Sequence, residues 1–414
     1  MCGDGDFVDR IEYGVIKKSL VNTGVQILGK MGMVGISLLT TGVLTRKLGL
    51  GNYGNFILIS SLFVFLDSLA DFGTKTIGVR EISKENGEKA IEHIFNLRAA
   101  MTLVSFAIGL IMIWTWKGVV EIRLEATVAL LMIFLTSIGG FWEMIFQSKL
   151  RMDLKVIMDL SFPVTFLIWL WWWKGEISLL MVMSVYLVAR LISLGIGYYL
   201  VTGLSTIKIK KIDFGEIKQM WKLTWPMGVF LMMFATYDRA IDSLLIQNFL
   251  GAKQVAWYGL AYKMYGALLQ PAYFYVNSIF PIMGAKETNK KKLFVESAIL
   301  MTAMSVLLVI GVYFAAPLMV GILGGESFGP SIGVLRILIV AALFSYMGHL
   351  VGFTLISEGG QKEMLKLGAI ALVVNLILNV LLIPRFGILA AAWVTVVTEM
   401  IDCAMMAWYL KKRI

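Results

Sequence analysis

Charge and reactive side chains are scarce in this sequence. Of 414 residues, 15% are Asp, Glu, Lys or Arg, against about a quarter in an ordinary soluble domain. There are 2 cysteines, 2 histidines and 7 prolines. Cys2 and Cys403 are too few for a disulfide framework, and both read as inert. His93 and His349 are isolated, so no transition-metal site is expected. No cofactor motif is present. No polar stretch is long enough for a separate soluble domain. A soluble enzyme, a disordered tail protein and a disulfide-stapled secreted domain are thereby excluded.

What is present is apolar. Hydrophobic residues make up 58% of the chain, and mean hydropathy is +0.81. A spanning helix needs about 20 mostly apolar residues to climb about 30 Å of hydrocarbon. On that measure about twelve crossings are expected (near 21–44, 54–74, 99–116, 124–146, 156–173, 177–201, 223–250, 255–280, 293–323, 329–356, 367–383 and 387–410). The expected fold is an all-α integral membrane protein of two six-helix bundles, over residues 1–202 and 223–414. A basic cytoplasmic linker, 203–222, joins them.

The formal net charge is +10. Basic residues fall at helix ends rather than on one soluble face, so nucleic acid is not the expected partner. With these spans, 25 of the 37 Lys and Arg fall on one side and 7 on the other. The richer side should be cytoplasmic, with both termini on it. Asp4, Asp6, Asp9 and Glu12 argue against a cleavable leader, and Phe7–Leu20 reads as a segment lying on the inner membrane surface. Most of the 12 tryptophans fall at predicted membrane edges, where indole rings prefer to sit. The two halves echo each other. LGLGNYG at 48–54 and LGAKQVAWYG at 250–259 lie about half the chain apart, each with Leu-Gly to end a helix and Tyr-Gly to restart one.

Charges inside the spans carry the functional signal, because a charge near a helix centre costs about 2.5–3.5 kcal/mol to insert. Five cations fall there: Lys30, Arg190, Arg239, Lys263 and Arg336. So do Asp67, Asp71, Glu143, Asp159, Asp238, Asp242, Glu399 and Asp402. Such groups must be buried in protein or line a wet cavity. Two readings stay open. Lys30, Arg239 and Lys263 face a lumen and bind an anionic head group, or Asp238, Arg239 and Asp242 form a neutralised cluster that holds spans together. Asp67, Asp238, Asp242 and Glu399 read as coupling-ion sites or as partners of the cations. Arg190 and Arg336 are weaker candidates for the same anion-binding lumen, or Arg190 simply pairs with an acidic neighbour. Asn375 and Asn379 share a helix face and read as interhelical glue.

Three segments resemble the polysaccharide (O-antigen-type) flippases of the multidrug/oligosaccharidyl-lipid/polysaccharide exporter superfamily. They are LGLGNYGNFILISSLFVFLDSLADFGTKTIGVREIS at 48–83, YDRAIDSLLIQNFLGAKQVAWYGLAYKM at 237–264 and NLILNVLLIPRFGILAAAW at 375–393. The resemblance implies a V-shaped transporter fold, like that of the superfamily's multidrug exporters, working by alternating access and not an enzyme. It implies a cargo of oligosaccharide on a polyprenyl phosphate or diphosphate, flipped from the inner to the outer leaflet of the cell membrane for surface-glycan synthesis. Lys30, Arg239 and Lys263 match the family's cationic cavity. Membrane lipids and the glycosyltransferases or polymerase of the same process are the implied partners. The alternatives are a cation-coupled multidrug antiporter of the same superfamily or a membrane-embedded glycosyltransferase.

Overall fold

A computed structural model describes the backbone of residues 4–84, 87–204, 214–237, 241–283 and 289–412, with side chains from residue 24 onward except at 87–89, 214, 216, 281 and 282. The expected surface segment Phe7–Leu20 continues into the first span as one helix, with its side chains outside the described residues. Residues 205–213 of the expected linker, and Asp238 and Arg239, lie outside the described residues, while 214–222 open a helix rather than a linker.

The described residues are helical, without strands. The first half of the chain holds α1 (Asp4–Asp71), α2 (Thr74–Ile82), α3 (Gly87–Thr115), α4 (Arg123–Ser148), α5 (Met152–Trp172) and α6 (Leu179–Thr202). The second half holds α7 (Phe214–Ala235), α8 (Ile241–Leu250), α9 (Ala252–Leu268) and α10 (Gln270–Met283). It continues with α11 (Lys290–Gly324), α12 (Ser331–Ser357), α13 (Gln361–Phe386) and α14 (Ile388–Lys411). Among the described residues, nine helical stretches are long and apolar enough to cross a membrane. One of these, 24–82, is long enough for two crossings and bends at Gly49. The shorter pairs α7–α8 and α9–α10 each add up to the length of one more crossing. The arrangement is that of an all-α protein with many helices long and apolar enough to cross a membrane.

Interruptions in the helices have local causes. Gly49 (φ 72°, ψ 173°) and Gly251 (φ 86°, ψ 176°) share one backbone conformation, open to glycine and strained for other residues. They occupy equivalent places in the two sequence repeats, after the Leu of each Leu-Gly. The span expected at 255–280 is broken at Leu269, where Pro271 opens α10 and lacks the N–H a continuous helix needs. Asp71-Phe72-Gly73 makes the turn from α1 into α2, with Phe72 at φ 39° and Gly73 at φ 77°.

Exposed side chains match a lipid environment. Trp114, Trp171, Trp172 and Trp393 stand out near one set of helix ends, and Trp221, Trp225 and Trp408 near the other. Polar groups are turned inward.

The halves touch at two levels. Near Gly49 and Gly251, α1 packs on α9: a Cβ on Gly54 would fall on the Ala252 carbonyl, and one on Gly259 would meet Ile57 at 2.7 Å. Both glycines belong to the Tyr-Gly pairs of the repeats. The pairs do not restart helices, as their sequence suggested; they lie inside them and let the two helices approach backbone to side chain. Tyr53 stacks edge-on with Phe328 there, and Thr45 donates to the Leu323 carbonyl at 2.5 Å. At the other end the Phe72–Gly73 turn docks on α7. Phe72 stacks on Trp221 with centroids 4.5 Å apart, and a Cβ on Gly73 would meet the Gly228 nitrogen at 2.8 Å.

Candidate functional site

Intramembrane charge is organised as three groups at different depths. Depths follow from the rise of about 1.5 Å per helical residue, counted from the Gly49, Gly251 and Gly387 end.

The first group lies within the opening half. Arg98, 2% exposed on α3, donates to Asp71 at 2.5 Å, to Thr74 at 2.7 Å and to the Ser137 carbonyl at 2.6 Å. Lys75 and Lys155 flank Glu143 at 3.6 and 3.4 Å, and Lys155 also holds Asp159 at 2.5 Å. These pairs neutralise one another and tie α1, α2, α3, α4 and α5 together. Beside them a cavity of about 110 Å³ is lined by Asp67, Lys75, Thr136, Glu143, Arg190 and Ser193. Asp67 accepts from the Thr136 hydroxyl at 2.7 Å. Arg190 rests over the Phe162 ring at 4.1 Å rather than against a carboxylate, which corrects the pairing expected from sequence.

The second group lies within the closing half, about 12–18 Å from the Gly387 end. Asp242 on α8 accepts from the Tyr258 hydroxyl and, at 2.8 Å, from the Asn379 amide. Asn379 also donates to Asn375 at 2.9 Å, and Asn375 to Thr398 at 3.4 Å. Glu399 accepts from Ser345 at 2.7 Å and from Tyr237 at 3.2 Å. The two asparagines thus link α13 to α8 and α14. The Asn379 Oδ1 is fully buried, with no hydrogen-bond partner among the described residues. A buried acceptor in that state is costly unless something fills the place beside it. Asp242 and Asn379 supply oxygens, with the Thr395 hydroxyl in contact with Tyr258 at 3.4 Å. That donor set suits a small monovalent cation or a proton. No cluster of three or more His, Cys, Asp or Glu is present among the described residues.

The third group lies between the halves. From Gly49 the helix runs back about 28 Å to Lys30, so Lys30 sits nearer the Phe72–Gly73 end than the middle of its span. Its ammonium lies 4.5 Å above the Tyr273 ring of α10. Tyr273 in turn meets His349 and Phe353 of α12 edge-on, each with centroids 6.3 Å apart. Lys30 has no carboxylate within ion-pair distance among the described residues. Lys263 stands on α9 about 18 Å from Gly251, about 10 Å above the level of Lys30. By this count the two lysines leave their helices at different depths. Arg336 stacks on Tyr313 at 4.8 Å and donates to its carbonyl at 3.0 Å. Three of the five expected intramembrane cations thus rest on aromatic faces. Sequence reasoning missed this, although the aromatic content of 12% was the available signal.

Residues 19–287 match the family described as Polysaccharide biosynthesis protein. The chain belongs to this family. A family relative, the probable low-salt glycan biosynthesis flippase Agl15 of Haloferax volcanii, is 26% identical over 396 residues, covering 91% of this chain and 80% of the relative. Among solved structures, the lipid II flippase MurJ in an inward closed conformation superposes with a TM-score of 0.76 at 12% identity, over 95% of this chain and 87% of that one. An inward-facing multidrug resistance MATE family transporter of the MOP superfamily gives 0.73 at 13% identity, over 91% and 93%. At such identities the structural matches speak to the fold. They agree with the all-α transporter architecture that family membership implies.

Proposed function

We propose that this polysaccharide biosynthesis family protein is a flippase for a glycan carried on a polyprenyl phosphate or diphosphate. It moves the head group from the inner to the outer leaflet by alternating access between bundles 1–202 and 223–414. Both termini and the basic 203–222 linker lie in the cytoplasm, and neighbouring glycosyltransferases or a polymerase make and consume the cargo. Family membership supports the reading, and one observation carries it: between the halves the Lys30 ammonium rests on the Tyr273 ring, with no carboxylate at ion-pair distance among the described residues. Moving a phosphate through hydrocarbon requires that its hydration be replaced, and cations in a wet cavity do that. Sugars need only polar lining, while the prenyl tail stays in lipid. Arg239 and Lys263 are the further phosphate ligands of this reading, met as the head group moves away from Lys30.

Coupling belongs to the second group. A proton or monovalent cation bound at Asp242 would displace the Asn379 amide from that carboxylate and bias α8 against α13 and α14. Asp67, Asp238 and Glu399 are secondary candidates, as relays or charge partners. The multidrug-antiporter alternative draws on the same carboxylates.

The deciding experiment is translocation of a fluorescent prenyl-diphosphate oligosaccharide in proteoliposomes. Wild type should flip it, and Lys30→Ala and Arg239→Ala should each reduce the rate at least tenfold while remaining folded. No flipping by wild type, with cation-driven efflux of an organic cation instead, would replace the flippase by the antiporter.

A further inference from the structure

Gly29 and Lys30 together fix where this cation points. A Cβ at Gly29 would overlap the Val156 side chain of α5 at 2.6 Å, so only glycine lets α1 lie this close to α5. The next residue projects about 100° around the helix. That turns Lys30 away from its own half and onto Tyr273.

The ring is held firmly. His349 and Phe353 back it from α12. The His349 Nδ1 lies 2.6 Å from the Ser345 carbonyl, which can only accept, so Nδ1 carries the hydrogen. Ser345 in turn donates to Glu399 on α14. Asn277 donates to the Tyr273 carbonyl at 2.7 Å and stiffens the turn that presents the ring. The contact thus joins α1 of one half to an aromatic seat built by α10 and α12 of the other.

An aromatic seat differs from a carboxylate partner in one respect. The ring attracts the ammonium through its quadrupole without cancelling the charge. A carboxylate would neutralise Lys30 and compete with any incoming anion. A phosphate forms a charge-assisted hydrogen bond with an ammonium, stronger than its attraction to a ring. A phosphate-bearing head group that reaches Lys30 should therefore take it from Tyr273. Lifting the ammonium also removes a tie between the halves.

We propose that Tyr273 is the empty-state seat of Lys30, and that a prenyl-linked phosphate frees the halves to move by drawing the ammonium off that ring. Tyr273 is then a positioning residue that makes opening depend on cargo. The inference rests on the flippase reading above.

The test uses the full-length protein in nanodiscs with geranylgeranyl diphosphate as probe. Spin labels at Ser83→Cys and Lys222→Cys report the distance between the halves at the Phe72 end. Wild type should bind the probe and show a shifted distance distribution. The prenyl alcohol, which lacks phosphate, should leave the distribution unchanged. Tyr273→Leu should bind the probe about three- to thirtyfold tighter, because no ring competes for Lys30. Its distance distribution should already be shifted without probe. Tyr273→Phe, which keeps the ring, should behave as wild type and controls for folding. Wild-type affinity and a probe-dependent distance in Tyr273→Leu would overturn the seat while leaving the flippase reading intact. A shift produced by the alcohol alone would overturn the ammonium transfer. Failure of wild type to bind the diphosphate at all would overturn the flippase reading and the seat with it.

Discussion

Arg98 and Lys30 show two ways of holding a cation inside this protein. Arg98 is surrounded by a carboxylate, a hydroxyl and a carbonyl, so its charge is spent on structure. Arg98→Ala would leave Asp71 buried without its partner, which typically costs about 3–5 kcal/mol. Thermal unfolding in detergent should show a lowered midpoint together with reduced yield. Asp242 belongs to a network as well, but one with an unfilled acceptor beside it. Asp242→Asn keeps the shape and removes the charge. Its expected effect is loss of any Na⁺- or proton-gradient stimulation of transport, with head-group binding kept within about twofold; an unchanged gradient dependence would remove Asp242 from coupling. The sequence made Asn375 and Asn379 legible as a helix-to-helix link because they sit one turn apart on an apolar helix. It could not show that Arg190 and Arg336 rest on rings, because Phe162 lies on another helix and Tyr313 is 23 residues away.

At the level of elements, hydropathy located the spans well, since each must be about 20 apolar residues long. It did not locate the breaks inside them. The stretch expected at 255–280 is divided between α9 and α10. It stays largely apolar across Leu269, so a hydropathy window sees one run. Pro271 was the readable sign of that break. The Tyr-Gly pairs were visible as repeats, but their use was not. Gly54 and Gly259 serve a contact between elements about 200 residues apart in sequence, and only the fold brings them together. Substitution should expose this role. Gly54→Val would place a branched side chain against the Ala252 carbonyl and hold the α1–α9 contact open. Gly73→Val combines a disfavoured backbone (φ 77°) with a clash on Gly228 and should open the other end. Labels at Ser83→Cys and Lys222→Cys should report a longer separation in Gly73→Val and an unchanged one in Gly54→Val. Equal distances in the two variants would mean that these glycines do not set the closed contacts.

For the whole molecule, the sequence supplied the architecture because composition alone forces a helical membrane protein, and the order of its motifs supplied the family. The fine structure of the site was less accessible. Lys30, Arg239 and Lys263 share a charge sign and a place early in each half, yet Lys30 and Lys263 stand at different depths. A linear sequence does not give depth when helices bend, as at Gly49. The different depths suit successive contacts along a path better than a single binding point. Lys263→Ala should accordingly slow transport in the flipping assay more than it weakens initial head-group binding, whereas Lys30→Ala should weaken both.

Contact at the Gly54–Ala252 level and at the Gly73–Gly228 level in one conformation has an electrical consequence. On the proposed flippase reading, closing both levels around the cargo would interrupt a continuous file of water, and with it the easiest route for leaking protons. The membrane voltage would then fall mainly across the two closed levels. A carried phosphate would feel little of it while enclosed, and most of it as each contact yields. Each elementary charge moved through 100 mV exchanges about 2.3 kcal/mol. On that reading the glycines at these two contacts would set where, along the route, an anionic cargo draws on the voltage.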